Sequence, residues 1–197
     1  LTGIPYDEGC SCGSGASLAP GKMRELSSFL PPLSMDGDLL TKIKLFDSGD
    51  LIKTDERFFE ILKNESLNRF KTNKFPIFIG GDHSVSIPLE QAFYDYAVSL
   101  GKIPAIIHLD AHPDICDFYD GSYNSHACTN KRSIDYGYNP ENIVVTNVNK
   151  VPLGKSQTVS FENNVYTVYI EVTDYQIQED AYIFVEEKQV QMALHLL

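Results

Sequence analysis

The spacing of apolar residues changes several times along the chain, and each change marks an element. Gly, Pro and Ser dominate from Gly3 to Gly21, which predicts a loop. Pro20 opens a helix through Met23, Leu26 and Phe29. Pro31-Pro32 ends it, because proline lacks an N–H and disfavours helical geometry in the residue before it. A second helix is predicted over residues 56–70, where Phe58, Phe59, Ile61 and Leu62 share a face. Ile77-Phe78-Ile79 reads as a strand that Gly80-Gly81 stops. Leu89, Ala92, Phe93, Tyr96, Ala97 and Leu100 then follow the spacing of a helix packed on one side. Residues 105–109 read as a buried strand, 143–145 and 165–172 as further strands, and 182–197 as a closing helix.

Strands separated by helices predict an α/β fold with three α/β/α layers around a mostly parallel sheet, whose chemistry sits in loops at the carboxyl ends of the strands. No internal repeat, low-complexity tract or long linker interrupts the pattern. With 197 residues, 43% of them hydrophobic and 22% charged, the chain is expected to form one domain over residues 1–197 around one core.

The formal charge of −11 argues against a nucleic-acid surface, which needs clustered Lys and Arg to displace counterions from phosphates. That field suits a small cationic substrate, although surface carboxylates also serve solubility alone. No apolar run approaches the roughly 18 to 20 residues a membrane helix needs, so no membrane partner and a cytoplasmic location are expected. Cys10, Cys12, Cys116 and Cys128 lack the paired spacing of a zinc ribbon and read as free thiols.

Polar chemistry gathers directly after two predicted strands, as Gly80-Gly81-Asp82-His83-Ser84 and as His108-Leu109-Asp110-Ala111-His112-Pro113-Asp114. If the second strand stays extended past Leu109, Asp110, His112 and Asp114 alternate onto one side and offer three ligands from one segment. Mixed imidazole and carboxylate donors suit manganese, zinc or iron, and a carboxylate can bridge two ions. The absence of thiolates favours manganese. Asp82 and His108 read more simply as groups that cap strand ends or satisfy buried backbone.

The pairing of Gly-Gly-Asp-His-Ser with Asp-Ala-His-x-Asp resembles the arginase, agmatinase and formiminoglutamase family of ureohydrolases. Gly3-Ile4-Pro5-Tyr6-Asp7, Gly15, Pro20 and Arg24 resemble that family's opening, and Ser125-His126 resembles its Ser-His-Gly, with Ala127 in place of the glycine. The resemblance runs from about residue 3 to about residue 145 and is poor beyond. It implies a homo-oligomeric enzyme binding two manganese ions. His83 would hold one ion and His112 the other, with Asp110 bridging and Asp114 completing the first set. Two such cations would lower the pKa of a water between them and so supply a hydroxide nucleophile for the guanidinium carbon. His126 would shuttle the proton to the departing amine. The expected reaction is hydrolysis of a linear guanidino compound, agmatine foremost, to urea and an amine.

Two departures bear on this expectation. No segment reproduces the family's Ser-x-Asp-x-Asp-x-x-Asp-Pro strand, which completes its metal pair. The stretch Tyr169-Ile170-Glu171-Val172-Thr173-Asp174 instead resembles the late Glu-Val-Asn-Pro strand, and there Glu171 would contact the guanidinium through paired hydrogen bonds. The chain is also roughly a third shorter than a complete domain of this kind. An alternative expectation follows: a catalytically weakened protein of the same fold, with one metal or none, acting as a binding or oligomer-forming module. A zinc-dependent amide hydrolase of related fold is a weaker option, because those enzymes pair two histidines in sequence and this chain has no His-His.

Overall fold

A computed structural model describes residues 1–11, 13–34, 36–72, 74–110 and 112–146, and the backbone of strands at 158–162, 165–169, 185–186 and 190–193. The chain opens with strand β1 (Thr2–Ile4) and continues into helix α1 (Ala19–Ser27), helix α2 (Phe58–Phe70) and strand β2 (Phe78–Gly80). Helix α3 (Ser86–Ser99), strand β3 (Ile103–Leu109), helix α4 (Thr129–Tyr136) and strand β4 (Ile143–Thr146) follow. The last elements are β5 (Thr158–Glu162), β6 (Val165–Tyr169), β7 (Val185–Glu186) and β8 (Val190–Ala193). Among the described residues no helix is long and apolar enough to cross a membrane.

The architecture is α/β, as expected. β1 pairs in parallel with β2, and β3 is flanked in parallel by β4 and β8, while β5, β6 and β7 form an antiparallel meander. Helix α2 buries Phe58, Leu62, Ser66 and Phe70, spaced four apart, against α3. Ile4, Phe78, Val85, Leu89, Ala92 and Phe93 complete one hydrophobic core with them. Phe70 stands at its centre, with its ring 5.9 Å from Phe78 and 5.4 Å from Phe93 in edge-on contacts.

Two expectations are corrected, and one helix appears that no pattern announced. The opening segment is not all loop: Thr2–Ile4 pairs with Phe78–Gly80, a pairing too short to leave a periodic signal. The segment from 182 onward does not form the expected helix in its described part. Val185–Glu186 and Val190–Ala193 are strands, and β8 takes the edge of β3 that β4 leaves open, so pairing decides what periodicity could not. Helix α4 was not expected, because Thr-Asn-Lys-Arg-Ser-Ile-Asp-Tyr carries almost no apolar stripe. Hydrogen bonds hold it instead: the Ser133 hydroxyl donates to the buried Glu90 carboxylate, and the Tyr138 hydroxyl just beyond donates to the Glu90 carbonyl at 2.8 Å.

The turn after β2 is sterically closed. Gly81 N–H donates to the Ile4 carbonyl at 2.9 Å, and Asp82 N–H donates to the Tyr6 carbonyl at 2.8 Å. A Cβ at position 81 would meet the Tyr6 carbonyl oxygen at 1.7 Å, so only glycine permits this approach. Gly81→Ala is expected to destabilise the chain by about 1–3 kcal/mol or more in urea unfolding. Gly21→Ala, within α1 and with nothing inside 4 Å of its Cβ, should be neutral or stabilising by up to about 1 kcal/mol. Equal effects at the two positions would contradict the steric account.

Candidate metal centre

Both chemical motifs sit where parallel strands end, which is where α/β sheets expose their loops. Beyond β2, Asp82 caps a short 3-10 turn (His83–Val85), accepting from Ser84 N–H at 2.7 Å. Its other oxygen accepts from Gly9 N–H at 2.8 Å. Asp82 is therefore a cap, the simpler of the two roles its position allows, and it fixes the backbone that carries His83.

On β3 the buried face takes Pro104, Ile106 and His108 in alternation, so His108 points inward with the core residues. Strand geometry ends at Leu109. Asp110 Oδ1 accepts from His112 N–H at 2.9 Å, a local turn that breaks the extended alternation expected for Asp110, His112 and Asp114. Asp114 has φ 46°, the left-handed region that Asp enters more readily than most residues.

Four side chains converge as a result. Donor atoms of His83, His108, Asp110 and Asp114 lie within 4.8 Å of one another. His83 Nδ1 is 2.7 Å from Asp114 Oδ2 and 3.9 Å from Asp110 Oδ2, and His108 Nε2 is 3.4 Å from Asp110 Oδ2. The two rings stand 4.8 Å apart between centroids. His112, expected to be a ligand, is not in this group: the turn leaves its side chain 78% exposed, with Nδ1 3.2 Å from Asp110 Oδ1. His108 takes a place beside the carboxylates instead. One further step back along the two-residue alternation, from Asp110 to His108 to Ile106, carried that signal.

The donor set fits a divalent cation. Among the described residues, the buried atoms His83 Nδ1 and His108 Nε2 have no partner of hydrogen-bond geometry, and an unsatisfied buried polar atom costs about 1–3 kcal/mol. Two imidazole nitrogens and two carboxylates are ligands that manganese, zinc or iron accept. Burial opposes charge on His83, but the Asp114 carboxylate at its Nδ1 outweighs it and raises its pKa above the usual histidine value. Burial dominates at His108 and lowers its pKa. At Asp110 burial is overcome by the His112 N–H and the neighbouring imidazoles, and its pKa falls.

His126 begins a second short turn (His126–Cys128), which packs on the turn bearing His83. Its Nδ1 lies 2.7 Å from the Gly9 carbonyl. A carbonyl only accepts, so Nδ1 carries a hydrogen and Nε2 is the atom left to take up or release a proton. Gly9 thus ties His126 to Asp82, the cap beside His83. Glu171 lies outside the described residues.

Fold and donor set together define an α/β protein with a candidate divalent-cation centre at its strand ends. The family model for arginases matches residues 1–192, and the chain belongs to the arginase family. It is 32% identical over 148 residues to an agmatinase of Bacillus cereus, covering 73% of this chain and 49% of that protein. It is 34% identical over 151 residues to arginase 2, chloroplastic/mitochondrial, of Arabidopsis thaliana, covering 70% and 43%. The structure of Trypanosoma cruzi formiminoglutamase with Mn2+ superposes with a TM-score of 0.60 at 26% identity, over 73% of this chain and 50% of that one. The chain thus spans about half the length of the relatives it matches.

Behind the centre, Glu90 on α3 is fully enclosed, and burial pushes its carboxyl pKa up to about 7 from 4.5, against the opposing Ser133 hydrogen bond and the His83 charge. Between these values the folded chain holds a proton that the unfolded chain has released, so stability falls as pH rises from about 4.5 to about 7. The displacement is worth about 3 kcal/mol. Glu90→Gln, which retains an acceptor for Ser133, should lose that slope in urea titrations of the metal-free protein. A variant with the same slope as the parent would place the buried proton elsewhere.

Proposed function

We propose that this chain contributes the first metal-binding half of a ureohydrolase site and acts in the manganese-dependent hydrolysis of a linear guanidino compound, agmatine foremost, to urea and an amine. The observation that carries this reading is the convergence of His83, Asp110 and Asp114 at the ends of β2 and β3, with His108 beside them. His83, Asp110 and Asp114 would hold one ion, and His112 with Asp110 would hold a second. When bound, such a pair lowers the pKa of water and supplies a nucleophile at neutral pH.

The chain's own groups supply the rest. Asp82 and the Gly81 contact hold His83 at the strand end, and the His112 N–H orients Asp110. The amine of a guanidinium departs only after protonation, and His126 is poised for that task because the Gly9 carbonyl occupies Nδ1 and leaves Nε2 to move the proton. The surplus of carboxylates favours a cationic substrate over an anionic one.

A second reading has its own support. The exposed side chain of His112 fits a weakened protein of the same fold that holds one ion and acts as a binding module. Two tightly held manganese ions per chain in elemental analysis would exclude it.

The test is urea release from agmatine, arginine and guanidinobutyrate with manganese present. Release is expected to be fastest from agmatine, and His126→Ala should lower kcat about 100- to 10,000-fold with little change in KM. Absence of urea from all three substrates would overturn the proposal.

A further inference from the structure

His108 is the member of the cluster whose role the donor set leaves open. Its Nε2 faces the carboxylates, 3.4 Å from Asp110 Oδ2 and 3.8 Å from Asp114 Oδ2. An imidazole nitrogen in that place acts through a lone pair, as a metal ligand, or through a proton, as a donor to the carboxylates. The opposite edge of the ring decides between them. There the Asn130 side chain, 1% exposed at the start of α4, places Nδ2 2.7 Å from His108 Nδ1. The same Nδ2 donates to the Pro113 carbonyl at 2.9 Å.

The Pro113 carbonyl makes the orientation of Asn130 unambiguous. A carbonyl can only accept, so the amide atom facing it is nitrogen, because the reversed amide would set oxygen against oxygen. The amide nitrogen has two hydrogens, one for Pro113 and one for His108. His108 Nδ1 must therefore accept, and the single proton of the neutral ring lies on Nε2, the edge toward Asp110 and Asp114. Pro113 immediately precedes Asp114, so one asparagine links the ring to the turn that shapes the cluster.

We infer that Asn130 fixes His108 in its Nε2–H form, so that His108 is not a metal ligand but a positioning residue: its N–H edge faces the Asp110 and Asp114 carboxylates without a formed hydrogen bond to either and holds them by charge beside the cation. This rests on the metal reading above for its consequence, whereas the tautomer itself does not depend on a metal. It also separates the two imidazoles. His83 offers a lone pair to the ion, and His108 organises the anions that bind it. Outer partners of this kind typically change metal affinity about 10- to 100-fold when removed.

The experiment has two arms on the same protein. In 15N-histidine-labelled, metal-free chain, long-range 1H–15N spectra should show His108 with a protonated Nε2 and an unprotonated Nδ1. In Asn130→Asp, which replaces the donor by an acceptor, the proton should move to Nδ1. In the second arm, Mn2+ binding is followed by titration of the parent, His108→Gln and His108→Leu. Gln sets an N–H donor near the position of Nε2 and is a poor metal ligand, so His108→Gln should keep affinity within a few-fold while His108→Leu loses about 10- to 100-fold. A proton on Nδ1 in the parent, or equal losses in the two variants, would overturn the inference. If the parent binds no Mn2+, the metal reading fails and the positioning role fails with it, while the spectrum still decides the tautomer.

Discussion

Carboxylates set side by side repel one another, and the half-buried Asp110 and buried Asp114 both turn an Oδ2 toward the same pair of imidazoles at the ends of β2 and β3. The rest of the described structure is arranged around keeping those four groups together. The closed turn at Gly81 and the Asp82 cap hold His83 from one side, while the inward alternation of β3 and the turn at Asp110 hold the others. Two carboxylates facing His83 Nδ1, a buried nitrogen without a partner of hydrogen-bond geometry, form a centre whose charges balance best with a cation among them. A centre of this kind is stable only while the core beneath it is rigid. The interlocked aromatic rings of α2, β2 and α3 provide that base.

The parts of this arrangement legible in the sequence are those written as local pattern. The α2 and α3 periodicities, the strand ending in Gly80-Gly81, and the placement of His83 and Asp110 directly after strands follow from spacing alone, whereas Asp114 joins them through a turn that spacing does not show. The residues that the pattern missed act through tertiary contacts. Asn130 sits on a helix with no apolar stripe, and its importance appears only when α4 is laid against the turn at Pro113. His108 resembles an ordinary strand-end group until β3 is seen to bury it. His112 stands apart from the four-residue cluster because the extended geometry assumed for its segment gives way to a turn made by Asp110, a competition between side chain and backbone that residue spacing does not record.

Membership of the arginase family gives these side chains a shared chemical setting without fixing what this chain does. Its relatives include an agmatinase, an arginase and a formiminoglutamase, and the chain spans about half of each. The best-defined feature of the candidate site is how its rings are tethered: the Gly9 carbonyl accepts from Nδ1 of His126, and the Asn130 amide donates to Nδ1 of His108. In both cases one neutral hydrogen-bond partner on the outer edge of a ring determines what its inner edge can do.

The most direct measurement is a Mn2+ binding isotherm for the metal-free chain beside its Asp114→Asn variant, with circular dichroism to show that both are folded. Asparagine preserves the shape of the side chain and removes the charge that faces His83. The account predicts saturable binding by the parent and a loss of at least about tenfold in affinity for the folded variant. Equal affinity in the two proteins, or no saturable binding by the parent, would contradict it.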